Sequence, residues 1–591
     1  MSHRSEAEPV TLTPSARSVL QSWSGDNKVG TTTGPGWVLA HARQDFLAPA
    51  RVSLQPLTIE EYPHLVLVGD IRLDEPSSLR KSLALSERPS DAELVLRAYC
   101  RWGRRCTDYL HGSFAFAILN QKDRALFGAR DHIGLRPLVY SVERSKLWFG
   151  SDVKALLTDP ELRQDADPVL VLAKYANLDH VFRGSTCFPR ILKVPPGHCF
   201  EFRNGILTSS KYWPRVEDLS ELADTDSLPH RVRDAVARSV SQSLDVRGGV
   251  GSHLSGGLDC TSVALIAQQQ LQSMGRNLAV TAGWWPGNGS DAKYGELARL
   301  GSARQNFSEV PHATCSLSPE FVKEQLLEDV ATQPTVMHLY EQRLKSAYSE
   351  SSCDIVLSGW GGDEGISNFG AGALSEHLLR LRVGVLLREF RSMLKYRNRI
   401  TLAMLQTQFA PLWQSKMPRP VGEDMPAYLM PLEEFLKLGG PRSDELRAYF
   451  REAAMLRLTK PCVRANILNK IEMGHLAARL ESWSEIGARS GYEYRFPLLS
   501  REVLELALRV PATFFFKAPW PRYGYRRAMW DLPRRIRWSP TKSEPQRIRL
   551  LSKAVGAALD RIDPSEYANL SQRHVLEWMI GRISLMVASV D

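Results

Sequence analysis

The sequence offers little sulfur chemistry. Its eight cysteines are scattered at positions 100, 106, 187, 199, 260, 315, 353 and 462, with no CxxC pair. That spacing argues against a zinc site and against a disulfide framework, and it fits a reducing cytoplasm. No run of about 18 apolar residues occurs, so no membrane insertion is expected. The opening Met1-Ser2-His3-Arg4-Ser5-Glu6 lacks an apolar core, so no signal peptide is expected. Internal repeats and low-complexity tracts are absent as well.

What is present is an ordinary soluble composition, 43% apolar and 24% charged. The 591 residues are too many for one core, and two domains with a helical insertion are expected. The net charge of +10 suits an anionic partner: nucleic acid, an acidic peptide or a polyphosphate. Basic residues concentrate at 380–399 and 522–549. Neither stretch contains a nucleic-acid module, so no nucleic-acid partner is expected. The first reads as a solvated helix face.

Residues 1–210 read as β-rich, with short apolar runs such as Leu65-Val66-Leu67-Val68 and Phe114–Leu119 between polar turns. A helix is expected at about 91–103, with Asp91 as N-cap and Gly103 as stop. The acidic stretch 214–230 reads as a linker. From about 228 the pattern changes to alternating helices and strands. A helix carries Val232, Val236 and Val240 at helical spacing. Strands follow near 250–254, 278–284 and 354–357. This is the pattern of a parallel α/β sheet. Residues 372–480 read as long amphipathic helices.

The strongest local signal is Ser255-Gly256-Gly257-Leu258-Asp259, followed by Cys260-Thr261-Ser262, between a strand and a helix. Paired glycines let the backbone approach a polyanion, and the N–H groups at the helix start then bind phosphate. An aspartate there makes sense as a Mg²⁺ ligand beside that phosphate. A second Gly-rich segment, Leu357-Ser358-Gly359-Trp360-Gly361-Gly362-Asp363-Glu364, also follows a strand.

The first loop resembles the pyrophosphate loop of the enzymes that cleave ATP to AMP and pyrophosphate. The second resembles the LSGxGGDE segment of asparagine synthetases and their relatives. The run Gly491–Leu499 resembles that family's GxExRxPxLD element, with Ser500 where an Asp is usual. There Glu493 and Arg495 read as a buried structural pair. Arg522-Tyr523-Gly524-Tyr525-Arg526, leading to Lys542, resembles the family's C-terminal run. The resemblance implies a nucleotide site made of Leu254, Ser255, Gly256, Gly257, Asp259, Cys260, Thr261, Ser262, Gly283, Gly359 and Arg522. It implies ATP and Mg²⁺ as cofactors, Asp259 and Asp363 as the metal carboxylates, and Lys542 as the transition-state cation. In the related β-lactam synthetases a Tyr–Glu pair deprotonates the attacking amine. Here Trp360 stands at the Tyr position and cannot accept a proton. Glu481 stands at a spacing that matches the Glu, and is either the base or a surface helix residue.

Upstream, His111–Ile118 and Ala129–Leu138 resemble the class II glutamine amidotransferase domain. That chemistry needs an N-terminal cysteine, whereas Ser2 stands here and no cysteine precedes Cys100. Val68-Gly69-Asp70 replaces the family's Asn-Gly segment. Asp91 matches its substrate-amine aspartate. The expected fold is an amidotransferase-like β-sandwich domain without its cysteine over 1–213, a linker over 214–230, and a parallel α/β synthetase domain over 231–591 with a helical region at 372–480. An amine already on the substrate is then expected. This favours relatives such as the lasso peptide cyclases, which adenylate an Asp or Glu side chain of a linear core peptide and close a macrolactam with its N-terminal amine. A leader-peptide protease and a precursor-recognition protein are the implied partners. The open alternatives are an ammonia-dependent asparagine synthetase, a β-lactam-synthetase-like cyclase of small molecules, and a non-catalytic scaffold.

Overall fold

A computed structural model describes residues 10–24, 29–43, 51–176, 178–246, 248–284, 310–315, 331–332, 344–396, 400–414 and 432–539. The N-terminal part holds ten strands: β1 (Val29–Gly34), β2 (Trp37–Ala42), β3 (Leu65–Leu73), β4 (Gly112–Asn120), β5 (Ala125–Arg130), β6 (Val139–Glu143), β7 (Lys146–Gly150), β8 (Leu192–Lys193), β9 (His198–Arg203) and β10 (Ile206–Lys211). They form a five-stranded antiparallel sheet of order β10-β9-β5-β4-β3, a three-stranded sheet β7-β6-β8 and the hairpin β1-β2.

Period-two alternation explains why the large sheet is covered on both faces. Val66, Val68, Ala115, Ala117 and Leu126 join one core with Leu39 and Phe200. Leu65, Leu67, Ile71, Phe114, Phe116 and Ile118 join the opposite core, with Leu94, Val95 and Ala98 of the helix Asp91–Trp102. That helix ends at Gly103 as expected, where φ is +56°. Its N-cap is Ser90, whose Oγ accepts from Glu93 N at 3.3 Å, and not Asp91. Asp91 faces inward. Its Oδ2 accepts from Leu73 N at 2.7 Å, and its carboxylate is clasped by Arg51 at 2.6 and 3.0 Å.

The C-terminal part is built on five parallel strands: β11 (Gly249–His253), β12 (Val280–Trp284), β13 (His312–Cys315), β14 (Cys353–Leu357) and β15 (Glu493–Arg495). The helix Leu228–Gln242 buries Val232, Val236 and Val240 in the core, as their spacing predicts, and packs against the helices Leu258–Ser273, Arg501–Ala507 and Tyr523–Ala528. The strand order β13-β12-β11-β14-β15 places β11 and β14 side by side although about 100 residues separate them. Chain order runs outward from β11 on one side and resumes at β14 on the other. The loops leaving these two strands therefore lie together at the crevice along the sheet's C-terminal edge, where α/β sheets bind ligands.

The acidic stretch 214–230 has a tertiary role. Glu221 pairs with Arg380 and with Arg382, the latter at 3.0 Å, so part of the basic 380–399 run is neutralised by the linker. Ser500 replaces the family's aspartate without loss of function as a cap. Its Oγ accepts from Val503 N at 3.4 Å at the start of the helix Arg501–Ala507.

Candidate active site

The two Gly-rich loops are the ones that leave β11 and β14. The first, 254–257, runs into the helix Leu258–Ser273, whose N-cap Gly257 makes no side-chain capping bond. The opening N–H groups of this helix therefore face the crevice as donors for an anion. Gly256 has φ +69°, a turn that a side chain would strain. Leu254 N donates to Ala282 O at 2.8 Å, which ties the loop to β12 beside Gly283. Thr261 and Ser262 are buried behind the loop, and Ser262 Oγ shares a hydrogen bond with Tyr525 OH at 2.7 Å.

The second loop lies directly on the first. A Cβ on Gly359 would sit 2.3 Å from the carbonyl carbon of Asp259 and 2.4 Å from Cys260 N. Backbone meets backbone here, so this glycine is required by contact. Gly359→Ala is expected to push the Asp259 loop out of place and to lower nucleotide-dependent activity by about 10²-fold or more, read as ATP–pyrophosphate exchange. Behind the loop, Ser358 Oγ bonds His253 Nδ1 at 2.9 Å and accepts from Trp360 N at 3.1 Å. Burial holds His253 down at about 3, so this histidine is neutral and structural.

The decisive geometry is at the crevice floor. Asp259 from the first loop and Asp363 from the second both pair with the guanidinium of Arg522, with Nη1 donating to Asp259 Oδ2 at 2.9 Å and Nη2 meeting Asp363 Oδ1. Arg522 is 4% exposed, takes the left-handed φ of +58°, and stacks 4.0 Å over the Phe369 ring. Ser367 Oγ donates to the other Asp259 oxygen at 2.5 Å. Asn368 Nδ2 donates to Asp363 O at 2.9 Å and holds that loop. Two carboxylates from separate loops thus converge on a single cation. A pair of hard oxygen donors so arranged fits Mg²⁺, which takes one or two carboxylates and completes its shell with phosphate oxygens. The structure therefore brings together Asp259, Asp363, Arg522 and the 254–262 loop. Ser367 and Phe369 join them unannounced by any motif, and Tyr525, which belongs to the C-terminal run, joins through Ser262. Lys542 lies outside the described residues.

Glu481 requires a correction. It is 3% exposed, so it is not a surface residue, and it does not stand free as a base. Its carboxylate accepts from Arg130 Nη2 at 2.5 Å and from Lys193 Nζ at 2.6 Å, both from the N-terminal part. Burial works to raise its pKa, but Lys193 and Arg130 outweigh it and hold the group below the usual carboxylate range. A carboxylate so held is a weak proton acceptor. Nearby, Glu493 accepts from Arg495 at 2.8 Å and pairs with Arg136 and Arg72, which confirms the buried Glu493–Arg495 pair. Burial would raise Glu493, but the three guanidinium groups outweigh it and bring it from 4.5 to about 2. Because the folded-state value is depressed, its contribution is complete above about pH 4.5 and is lost as pH falls toward about 2. Acid unfolding followed by circular dichroism should begin in that window, and Glu493→Gln should flatten the dependence.

Trp360 is half-buried beside this interface. Its ring lies 6.3 Å from Phe496, 6.0 Å from His475 and 6.0 Å from the Arg479 guanidinium. It walls the crevice toward the helix His475–Ser490.

The pairing of an SGGLD loop and a GGDE loop at a switch point, with both aspartates on one cation, agrees with the family comparison. The asparagine synthase model matches residues 231–548, more than half of the chain. The chain belongs to the asparagine synthase family. A glutamine amidotransferase domain model matches residues 7–213. The chain is 32% identical over 190 residues to glutamine-hydrolysing asparagine synthetase 3 of Bacillus subtilis, covering 32% of this chain and 31% of that one. It is 28% identical over 324 residues to glutamine-hydrolysing asparagine synthetase 1 of the same organism, covering 52% and 48%. The chain thus spans about a third to a half of the length of these curated relatives. Asp91, at the position that matches the amidotransferases' substrate-amine aspartate, is here engaged by Arg51 and by the β3 backbone.

Proposed function

We propose that the protein is a Mg²⁺- and ATP-dependent, AMP-forming amide ligase that closes a macrolactam in a linear peptide. The observation that carries the adenylating half is the convergence of Asp259 and Asp363 on one cation at the β11/β14 switch point. Bound Mg²⁺ would supply charge neutralisation for the triphosphate as pyrophosphate leaves. Asp259 and Asp363 would hold that ion. The N–H groups at the start of the helix Leu258–Ser273 bind phosphate oxygens, and Arg522, released from the two carboxylates, follows the departing pyrophosphate. Lys542 is assigned the cation at the α-phosphate. The substrate carboxylate attacks the α-phosphorus, the bond to the bridging oxygen of pyrophosphate breaks, and an acyl-adenylate forms. An amine then attacks the acyl carbon, AMP leaves, and the amine proton passes to solvent or to AMP.

The substrate reading rests on the amine source. Gly69-Asp70 stands where the amidotransferases have Asn-Gly, and Arg51 occupies Asp91. Between the two parts, Arg130, Lys193, Glu481, Arg136 and Glu493 fill the interface with paired charges, a poor path for neutral ammonia. An amine carried by the substrate needs no such path, and tethering it supplies up to roughly 7–11 kcal/mol of effective concentration. Trp360 offers an aromatic wall for a peptide. An Asp or Glu side chain of a core peptide as acyl donor and its N-terminal amine as acceptor, with a leader-peptide protease and a precursor-recognition protein upstream, is the assignment that follows.

The relatives are named glutamine-hydrolysing asparagine synthetases, which favours asparagine formation as a second reading, with free ammonia replacing glutamine where the amidotransferase segment is altered. ATP–pyrophosphate exchange with purified protein separates the two. Exchange stimulated by a precursor peptide, with product lighter by one water, supports the cyclase. Exchange stimulated by free aspartate, with ammonium-dependent asparagine, replaces it with the second reading.

A further inference from the structure

Nine of the nineteen large apolar side chains exposed among the described residues lie between Leu378 and Leu402. The helix Val383–Lys395 carries four of them. Leu386, Glu389 and Met393 form its buried face, where Glu389 accepts from Ala518 N at 2.7 Å. Val383, Leu387, Phe390 and Leu394 recur at spacings of three and four and form a second ridge, about a quarter turn away, that faces solvent. On the far flank of this ridge stand Arg388, Arg391 and Lys395, exposed and without an ion pair among the described residues. Folding alone accounts for one apolar face of a helix, not two.

The ridge is extended at its N-terminal end by a corner. Leu381 has φ +52°, a strained conformation for a non-glycine residue, and its side chain is 81% exposed. Leu379 projects beside it. This turn ends the preceding helix, with Leu381 N donating to Leu378 O at 3.1 Å and Arg382 N to His377 O at 2.9 Å, and it leaves the leucine side chain in water. Leu394 and Leu402 are 75% and 72% exposed, so the surface projects as a prong and does not line a groove. A Cβ on Gly384 would meet nothing within 4 Å, so no neighbouring element overhangs it. A partner helix needs a groove to fill, whereas a convex apolar prong with a basic flank fits a deformable, negatively charged surface. No helix among the described residues is long and apolar enough to cross a membrane, so such contact would be peripheral.

We propose that the ridge 378–396 docks the protein reversibly on an anionic lipid surface, with Leu381, Leu387, Phe390 and Leu394 at the acyl boundary and Arg388, Arg391 and Lys395 at headgroup level. The test is sedimentation of the full chain with vesicles of phosphatidylcholine alone and of phosphatidylcholine mixed with phosphatidylglycerol. Binding to the mixed vesicles, absent from the neutral ones and weakened by salt, is the expected result. Leu381→Asp/Leu394→Asp should lower the bound fraction about tenfold or more, and should leave Mg²⁺-ATP binding as in the parent. Arg388→Glu/Arg391→Glu/Lys395→Glu probes the charge alone and should lose the preference for anionic vesicles. Absence of binding to the mixed vesicles, or binding that both variants retain, overturns the proposal. So does a dimer in vesicle-free solution that Leu381→Asp/Leu394→Asp dissolves while vesicles bind nothing, which would assign the ridge to a second copy of the chain.

Discussion

Asp363→Asn is expected to reduce ATP–pyrophosphate exchange by about 10²–10³-fold, with the protein still folded. The side chain keeps its shape and loses its charge. In the parent, Asp259 and Asp363 share one guanidinium, so the three groups together carry one net negative charge, which favours a further cation. With asparagine at 363 that net charge disappears. Arg522 keeps Asp259 as partner, and Ser367 still donates to it, so the loops stay in place. The loss should therefore appear in the dependence on Mg²⁺ concentration, measured at fixed ATP, and not in thermal stability. Arg522→Lys sharpens the reading. It keeps the charge but not the planar fork that reaches both carboxylates, so pyrophosphate handling should suffer more than metal dependence. Exchange by Asp363→Asn at the parental rate would remove the second carboxylate from the mechanism.

The second large effect is on stability. Glu481→Gln is expected to destabilise the protein by about 3–5 kcal/mol, because it strands two buried cations. Arg130 also donates to the carbonyls of Gly134, Arg136 and Val194, at 2.7, 2.7 and 2.8 Å, so it cannot leave. Lys193 is largely shielded beside it, and loss of solvent pushes its pKa down despite Glu481. Thermal unfolding of the full chain measures the loss. The double variant Glu481→Gln/Lys193→Met removes one of the stranded charges and should recover part of it, a coupling that two independent sites would not show. A catalytic base behaves differently. Its loss would leave thermal stability and pyrophosphate exchange intact and would stop only amide formation. That outcome would return Glu481 to the reaction.

These two residues also show how far the sequence could be read. Asp363 was legible because its whole constellation is local: a strand end, three glycines and two acids in eight consecutive residues. Asp259 was legible for the same reason. Glu481 was not. Its spacing from the Pro element matched a catalytic glutamate, and the helix pattern around it allowed a surface position. Its partners Arg130 and Lys193 are 351 and 288 residues away, in the other part of the chain. No local pattern carries information about a pairing at that distance. Asp91 shows the same limit at shorter range, because Ser90 took the cap and Arg51 and β3 took the aspartate.

By itself the sequence determined the α/β alternation, the two Gly-rich loops and the residues able to hold phosphate and Mg²⁺. These depend on periodicity, on glycine's freedom and on side-chain chemistry, all of which act within one or two turns of chain. Only the tertiary structure decided that β11 and β14 are neighbours, that Asp259 and Asp363 meet at Arg522, and that Glu481 seals an interface. Each of those outcomes is a choice among distant partners, made by burial of the whole sheet and by the cost of leaving any charge inside it unpaired.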